Sequence, residues 1–275
     1  MNTAGYNNLS FKISKKLTNA YSTSFSLGIK LFSKEFRKPI YGIYGFVRIA
    51  DEIVDTFHDF NKKDLLEKFK EDTKLAINQK ISTNPILNAF QKVVNEYNIE
   101  RELIDAFLYS MEMDLTENSY DRINYDKYIY GSAEVVGLMC LRVFTKNDNQ
   151  LYEKLKFSAK QLGAAFQKVN FLRDIKSDLE ERGRIYLPGI DKEIFIDDDS
   201  KKMLEEEVKK EFADALKGIK QLPKGVRTGV YTAFLYYNSL FLKITKLNIY
   251  QLRKERVRVP DYKKLFLMFR AFISL

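Results

Sequence analysis

The stretch Ala159-Lys-Gln-Leu-Gly-Ala-Ala-Phe-Gln-Lys-Val-Asn-Phe-Leu-Arg-Asp-Ile-Lys-Ser-Asp-Leu-Glu-Glu181 decides the fold. Ala159, Leu162, Ala165, Phe166, Val169, Leu172 and Ile175 recur at helical spacing, while Gln167, Asn170, Asp174, Asp178 and Glu181 gather into one polar stripe. A helix that is apolar over most of its circumference is a buried one. Its polar stripe must then face a wet cavity, a partner stripe or an ion. Asp174 and Asp178 stand four residues apart, about 40° from each other around the helix axis. Bare carboxylates so placed repel by a few tenths of a kcal/mol, and a divalent cation reverses the sign of that interaction.

A second segment, Asp51-Glu52-Ile53-Val54-Asp55, repeats the arrangement. Ile43, Phe46, Val47, Ala50, Ile53, Val54 and Phe57 form its apolar stripe, and Tyr44, Arg48, Asp51 and Asp55 line up on another face. If the two polar stripes face each other, four aspartates converge, and their repulsion and desolvation call for cations. Mg²⁺ suits best, with Mn²⁺ as a substitute, because it takes oxygen ligands, keeps several waters and is held by few carboxylates together with substrate phosphates. Arg48 and Arg173 would donate to phosphate oxygens. On this reading, removing one aspartate relieves repulsion and leaves stability unchanged or slightly raised.

Outward from these segments the chain reads as all-α. Its 275 residues contain only Pro39, Pro85, Pro188, Pro223 and Pro260 as prolines, and neither Asn-Gly nor Asp-Gly occurs. Periodicity predicts helices over 9–32, 39–58, 63–79, 85–97, 100–116, 125–145, 150–181, 200–219, 224–250 and 260–272, with loops at Gly183 to Ile190 and Asp197 to Asp199. With no repeat, linker or shift in composition, one domain spanning residues 1–275 is expected.

Several classes drop out. Cys140 is the one cysteine and His58 the one histidine, so neither an intrachain disulfide nor a multi-histidine metal site can form. No G-x-G-x-x-G follows a strand and no G-x-x-x-x-G-K-[ST] is present. Met1 to Ser10 is polar, and the longest apolar run, Val135 to Leu141, is too short to span a bilayer, so a cytoplasmic protein is expected. The net charge of +9 is concentrated late, where Arg253, Lys254, Arg256, Arg258, Lys263, Lys264 and Arg270 face only Glu255 and Asp261. Interleaved with Leu265, Phe266, Met268, Phe269, Phe272 and Ile273, these make a basic amphipathic pattern suited to peripheral contact with the inner, anionic membrane face. The competing reading packs those aromatics into the core and exposes only charge. Their helical spacing does not suit reading a nucleic-acid groove, so no nucleic-acid partner is expected.

The ordered motifs resemble the head-to-head isoprenyl diphosphate synthases, namely squalene, dehydrosqualene and phytoene synthases. Tyr21-Ser-Thr-Ser-Phe25, Tyr41-Gly-Ile-Tyr-Gly-Phe-Val-Arg48 and the aspartate run after it carry the likeness early. Met113-Asp-Leu115, Tyr128-Ile-Tyr130 and Ser132-Ala-Glu-Val-Val-Gly-Leu-Met139 carry it centrally, and Gln167 to Asp178 with Arg182-Gly-Arg-Ile-Tyr-Leu-Pro188 carry it most specifically. The resemblance implies an α-helical isoprenoid synthase bundle around a central cavity. It implies Mg²⁺ ligands at Asp51, Asp55, Asn170, Asp174 and Asp178, and diphosphate contacts from Ser22, Ser24, Arg48, Tyr128, Gln167 and Arg173. A late tyrosine and arginine of the family fall at Tyr237 and Arg256. Without the resemblance, Ser22 and Ser24 read equally as helix caps, and Tyr128 and Tyr237 as core tyrosines.

The implied activity joins two prenyl diphosphates. In the phytoene branch two geranylgeranyl diphosphates pass through a cyclopropylcarbinyl diphosphate to a forty-carbon triene without NADPH, the final base being pyrophosphate or Tyr237. The squalene or dehydrosqualene branch uses farnesyl diphosphate instead. A non-catalytic scaffold of the same fold would be free to lose metal ligands, yet all four aspartates, Asn170 and Arg48 are present.

Overall fold

The computed structural model describes residues 2–117, 119–180, 183, 184, 186 and 198–273. Its regular structure is helical: α1 (Thr3–Tyr21), α2 (Thr23–Lys30), α3 (Lys34–Asp55), α4 (Lys62–Gln79), α5 (Pro85–Tyr97), α6 (Arg101–Thr116), α7 (Arg122–Ile129), a π-helical turn (Tyr130–Glu134), α8 (Val135–Thr145), α9 (Asn149–Glu180), α10 (Asp198–Ile219), α11 (Lys224–Ile244), the single turn α12 (Ile249–Leu252) and α13 (Asp261–Ile273). The all-α expectation holds. Helices α4, α5, α6 and α8 end where the periodicity places their ends, and Lys80, Asn98 and Lys146 close α4, α5 and α8 in the left-handed region.

The departures have local causes. The predicted helix 9–32 is broken at Ser22, whose extended backbone ends α1 through an N–H bond to the Thr18 carbonyl (2.9 Å) and caps α2 by accepting from the Phe25 N–H (3.2 Å). Helix α3 begins at Lys34 and carries Pro39 inside it rather than at its start. The predicted helix 224–250 stops at Ile244, and an Asn248/Gln251 capping box starts the separate turn α12. Asp199, expected in a loop, lies in the first turn of α10, whereas Asp197 falls outside the described residues. Of the Gly183 to Ile190 loop, Gly183, Arg184 and Tyr186 are described and non-helical; the rest, with Glu181 and Arg182, lies outside the described residues.

The predicted 125–145 helix is interrupted by the π turn, where the backbones approach closely. A Cβ on Gly131 would lie 2.5 Å from the Ala106 carbonyl oxygen, and one on Gly163 would lie 2.6 Å from that of Ala133. Only glycine lets α6 and α9 seat against this turn. The buried apolar residues form one contiguous cluster, within which Phe46 of α3 stacks on Phe90 at 3.8 Å and also meets Phe69 and Phe107. Burial of Ile43, Phe46, Ala50, Ile53 and Val54 turns Tyr44, Arg48, Asp51 and Asp55 to the half-buried side of α3, as their spacing predicts.

Candidate active site

An apolar cavity of about 450 Å³ lies among α2, α8, α9, α11 and their neighbours. Phe32, Leu141, Phe144, Leu155, Ile219 and Leu222 supply much of its wall. Ala133, Gly137 and Gly163 line it as well, so the small residues serve both close packing and a smooth wall. The lining follows α9 from Leu155 to Asn170 and includes the polar residues Ser22, Ser24, Gln167 and Tyr237. Tyr237 donates to Asn170 Oδ1 at 3.3 Å and stacks on Phe166 at 3.9 Å, and burial raises its pKa. Tyr44 hydrogen-bonds Ser22 and stacks on Phe25 at 4.8 Å, and burial pushes its hydroxyl up to about 12.

The aspartates continue both helices beyond the lining residues. On α3 the cavity-lining Val47 is followed one turn later by Asp51, then by Asp55; on α9 Asn170 is followed by Asp174, then by Asp178. Asp55 and Asp178 lie in the last turns of α3 and α9, where the aligned peptide dipoles already place negative charge, with Asp51 and Asp174 one turn further in, and neither last turn holds a basic residue. Cations reach these ends from elsewhere in the chain. Gly183, at φ +65°, turns the chain after α9 so that the Arg184 N–H bonds the Asp178 carbonyl (2.9 Å). The Arg184 guanidinium then donates to Asp55 Oδ1 (2.9 Å) and the Val54 carbonyl (3.3 Å), tying the two acidic helix ends together. Lys62 donates to the same carbonyl at 3.0 Å.

Asp174 is clasped from both sides. Arg173 donates through Nε at 3.0 Å and also through Nη2, and Arg256, from beyond α12, donates through Nε at 2.7 Å. Burial works against the Asp174 carboxylate, but the two guanidinium groups outweigh it and its pKa falls. This corrects the expectation that removing an aspartate would leave stability unchanged or raised: at Asp174 the dominant local interaction is attraction.

Arg48 is ion-paired to the buried Glu52, lies 4.0 Å from Asp51 and rests 4.3 Å from the centroid of the Tyr21 ring. Its Nε is buried without a hydrogen-bond partner among the described residues, an orphaned donor that a phosphate oxygen would satisfy. Replacing Arg48 by lysine keeps the charge and removes the planar fork, so kcat/KM is expected to fall by about a hundredfold. Full rates in that variant would reduce Arg48 to a structural partner of Glu52.

Among the described residues no three acidic, histidine or cysteine side chains gather into a metal-holding group. The aspartates are separate donors on two helices rather than one cluster. An ion that needs a protein cage would not suit them, but Mg²⁺, which retains waters and completes its shell with phosphate oxygens, fits a set made only of carboxylate and amide oxygens.

Sequence reasoning missed a buried network beside this site. Asp114 accepts from Tyr128 (2.9 Å) and Tyr186 (2.7 Å), and Arg184 bonds the Tyr186 hydroxyl at 3.0 Å while reaching Asp55. The Tyr128 hydroxyl is thus engaged by Asp114 inside an aromatic group with Tyr120, Phe171 and Tyr186, as its core reading anticipated, and it does not line the cavity. The available signal was an acid, Asp114, that falls on the same side of α6 as the apolar Phe107 and Met111 rather than with Glu102, Asp105 and Glu112. Burial raises the Asp114 pKa from 3.8 to about 6, although Arg184 and Tyr186 oppose the rise. A raised carboxyl pKa means the native state binds the proton more tightly, so this group's stabilisation is full below pH 3.8 and is lost as pH rises through about 6. In urea unfolding across that window, Asp114→Asn is expected to flatten the decline. An identical decline in the variant would locate the titration elsewhere.

The fold is that of the isoprenoid synthases. It matches the crystal structure of a dehydrosqualene synthase in complex with ligand at a TM-score of 0.83, over 98% of this chain and 97% of that one, with 19% identity. The family model for squalene/phytoene synthase matches residues 18–195, and the chain belongs to that family, a family of prenyltransferases. It is 27% identical to a phytoene synthase of Arthrospira platensis, covering 96% of this chain and 93% of the relative. It is 29% identical to a 15-cis-phytoene synthase of Synechocystis sp., covering 93% and 82% respectively.

Proposed function

We propose that this chain is a phytoene synthase, condensing two geranylgeranyl diphosphates head to head through a cyclopropylcarbinyl diphosphate. The observation that carries the reading is the joining of two acidic helix ends, beside the orphaned Arg48 donor, on helices that line an apolar cavity. The likeness to phytoene synthases over most of both chains supports the choice of substrate.

Asp51, Asp55, Asn170, Asp174 and Asp178 would hold Mg²⁺, and the chemistry it would supply when bound is neutralisation of charge on a departing pyrophosphate. The chain's own groups do the remaining work. Arg48, Arg173 and Arg256 offer guanidinium forks to diphosphate oxygens. Ser22, Ser24 and the N-terminus of α2 add hydroxyl donors and a favourable dipole end, and Gln167 adds an amide. The apolar wall excludes water that would otherwise trap the allylic and cyclopropylcarbinyl cations. Tyr237, held by Asn170 and Phe166, is a cavity-lining hydroxyl that burial keeps protonated, so of the two candidates for taking the final proton the released pyrophosphate is the stronger base and Tyr237 could act only by relaying the proton to it.

Product analysis tests the reading. Purified protein with Mg²⁺ is incubated separately with fifteen-carbon and twenty-carbon prenyl diphosphates, with and without NADPH. Phytoene from the longer substrate, with no change on adding NADPH, is expected. Preferential use of the shorter one, giving squalene or dehydrosqualene, would overturn the chain-length assignment, and absence of hydrocarbon from either would overturn the condensation.

A further inference from the structure

Helix α13 is amphipathic in the reverse sense to a helix that packs a soluble core. At about 100° per residue, Phe272, Leu265, Phe269, Tyr262, Ile273 and Phe266 fall within one arc of roughly 120°. All six are exposed, from 53% at Leu265 to 85% at Ile273, whereas Leu267 and Ala271 on the opposite side are buried. The reading that packs these aromatics into the core is therefore corrected: the helix is anchored by its narrow side and shows its broad apolar side outward. A contiguous surface of this kind marks an interaction site rather than ordinary surface.

We propose that this face docks the protein onto an anionic lipid bilayer. Charge complementarity selects this occupant. On the helix, Arg270 and Lys263 border one flank of the apolar arc, whereas the half-buried Lys264 faces the cavity side. The preceding segment exposes Arg253, Lys254 and Arg258, with Lys254 over the exposed Tyr250 ring at 4.2 Å. Aromatic and aliphatic side chains with basic residues along one flank match the acyl-chain boundary and the phosphate layer of such a membrane. The attachment is peripheral, for no helix among the described residues is long and apolar enough to cross a bilayer.

The same helix forms part of the cavity wall. Lys264, Leu265 and Met268 line the chamber, and Leu265 is both a lining residue and half exposed. Among the described residues, α13 at this point has the apolar interior on one side and its exposed apolar face on the other. A docked helix would put that part of the wall against lipid, where a long prenyl chain enters and a hydrocarbon leaves without crossing water. This last consequence rests on the proposed function; the docking itself does not.

Flotation of the full chain with vesicles, which needs no substrate, therefore separates failure of docking from failure of the proposed reaction. The probes are phosphatidylcholine vesicles with and without phosphatidylglycerol. The chain is expected to float with the anionic vesicles, to release in high salt, and to bind neutral ones about tenfold less. Phe266→Ser with Phe269→Ser, neither residue lining the cavity, is expected to cut anionic binding by about tenfold or more while the helical circular dichroism and prenyltransferase rate in detergent stay as in the parent. Equal binding to both vesicle types, undiminished binding by the double variant, or a solution dimer that this variant dissociates would overturn the proposal, the last by making a second copy the occupant.

Discussion

Asp174→Ala is expected to lower turnover by about a thousandfold and, unlike Asp51→Ala, to destabilise the fold. The carboxylate is the shared partner of Arg173 and Arg256. Arg173 is largely buried and would be left uncompensated, whereas Arg256, about half exposed, is rehydrated at little cost. A loss of about 2 kcal/mol follows, or a drop of roughly 5 °C in Tm for a chain of this length. The clasp also has a pH signature. The native pKa of Asp174 is depressed, so its contribution is present above the unfolded carboxylate pKa and fades as pH falls through the native value. Calorimetry of the variant at neutral pH checks the prediction, and a Tm equal to or above the parent's would restore the picture of simple repulsion.

Asp51→Ala is expected to cost a similar factor of about a thousand in turnover while changing stability by no more than about 0.5 kcal/mol. Asp51 is the more distant of the two acidic neighbours of Arg48, which keeps Glu52 when Asp51 is removed. The contrast between the two variants matters more than either alone. If both lost stability equally, the acidic residues would be acting as a structural ion-pair network, and retention of turnover by Asp51→Ala at saturating Mg²⁺ would remove that residue from the metal-holding set.

The residues that were legible in the sequence are those whose information is local. Helical spacing placed Tyr44, Arg48, Asp51 and Asp55 on one half-buried side of α3, and Gln167 and Asn170 on the cavity side of α9. Helix ends at Gln79, Tyr97, Thr116 and Thr145 follow from breaks in apolar periodicity. The break at Ser22 was hidden because apolar residues keep nearly the same phase on both sides of a single extended residue. The π turn was hidden for a different reason: it lies where α6 and α9 approach closely at Ala106 and Gly163, contacts that no local spacing reveals. Long-range pairing is the harder class. Arg184 meets Asp55 across 129 positions, Tyr186 meets Asp114 across 72, and Arg256 meets Asp174 across 82. No periodicity links such residues. Treating the acidic helices without their arginines is what reversed the expected sign of the Asp174 stability effect.

The arrangement explains why acidic residues concentrate at two helix ends that electrostatics disfavours. Arg184 ties these ends together without gathering the aspartates into one cage, leaving oxygen donors on two helices and guanidinium groups around them. On the proposed reading, such a site would be completed by a diphosphate that brings its own oxygens together with Mg²⁺. Inorganic pyrophosphate probes this directly. Isothermal titration of the full chain with pyrophosphate is predicted to show binding that requires Mg²⁺, weakens in Asp51→Ala and weakens again in Arg48→Lys. Binding of equal strength in EDTA, or binding indifferent to both substitutions, would contradict the assignment of the two acidic helix ends as a metal-diphosphate site.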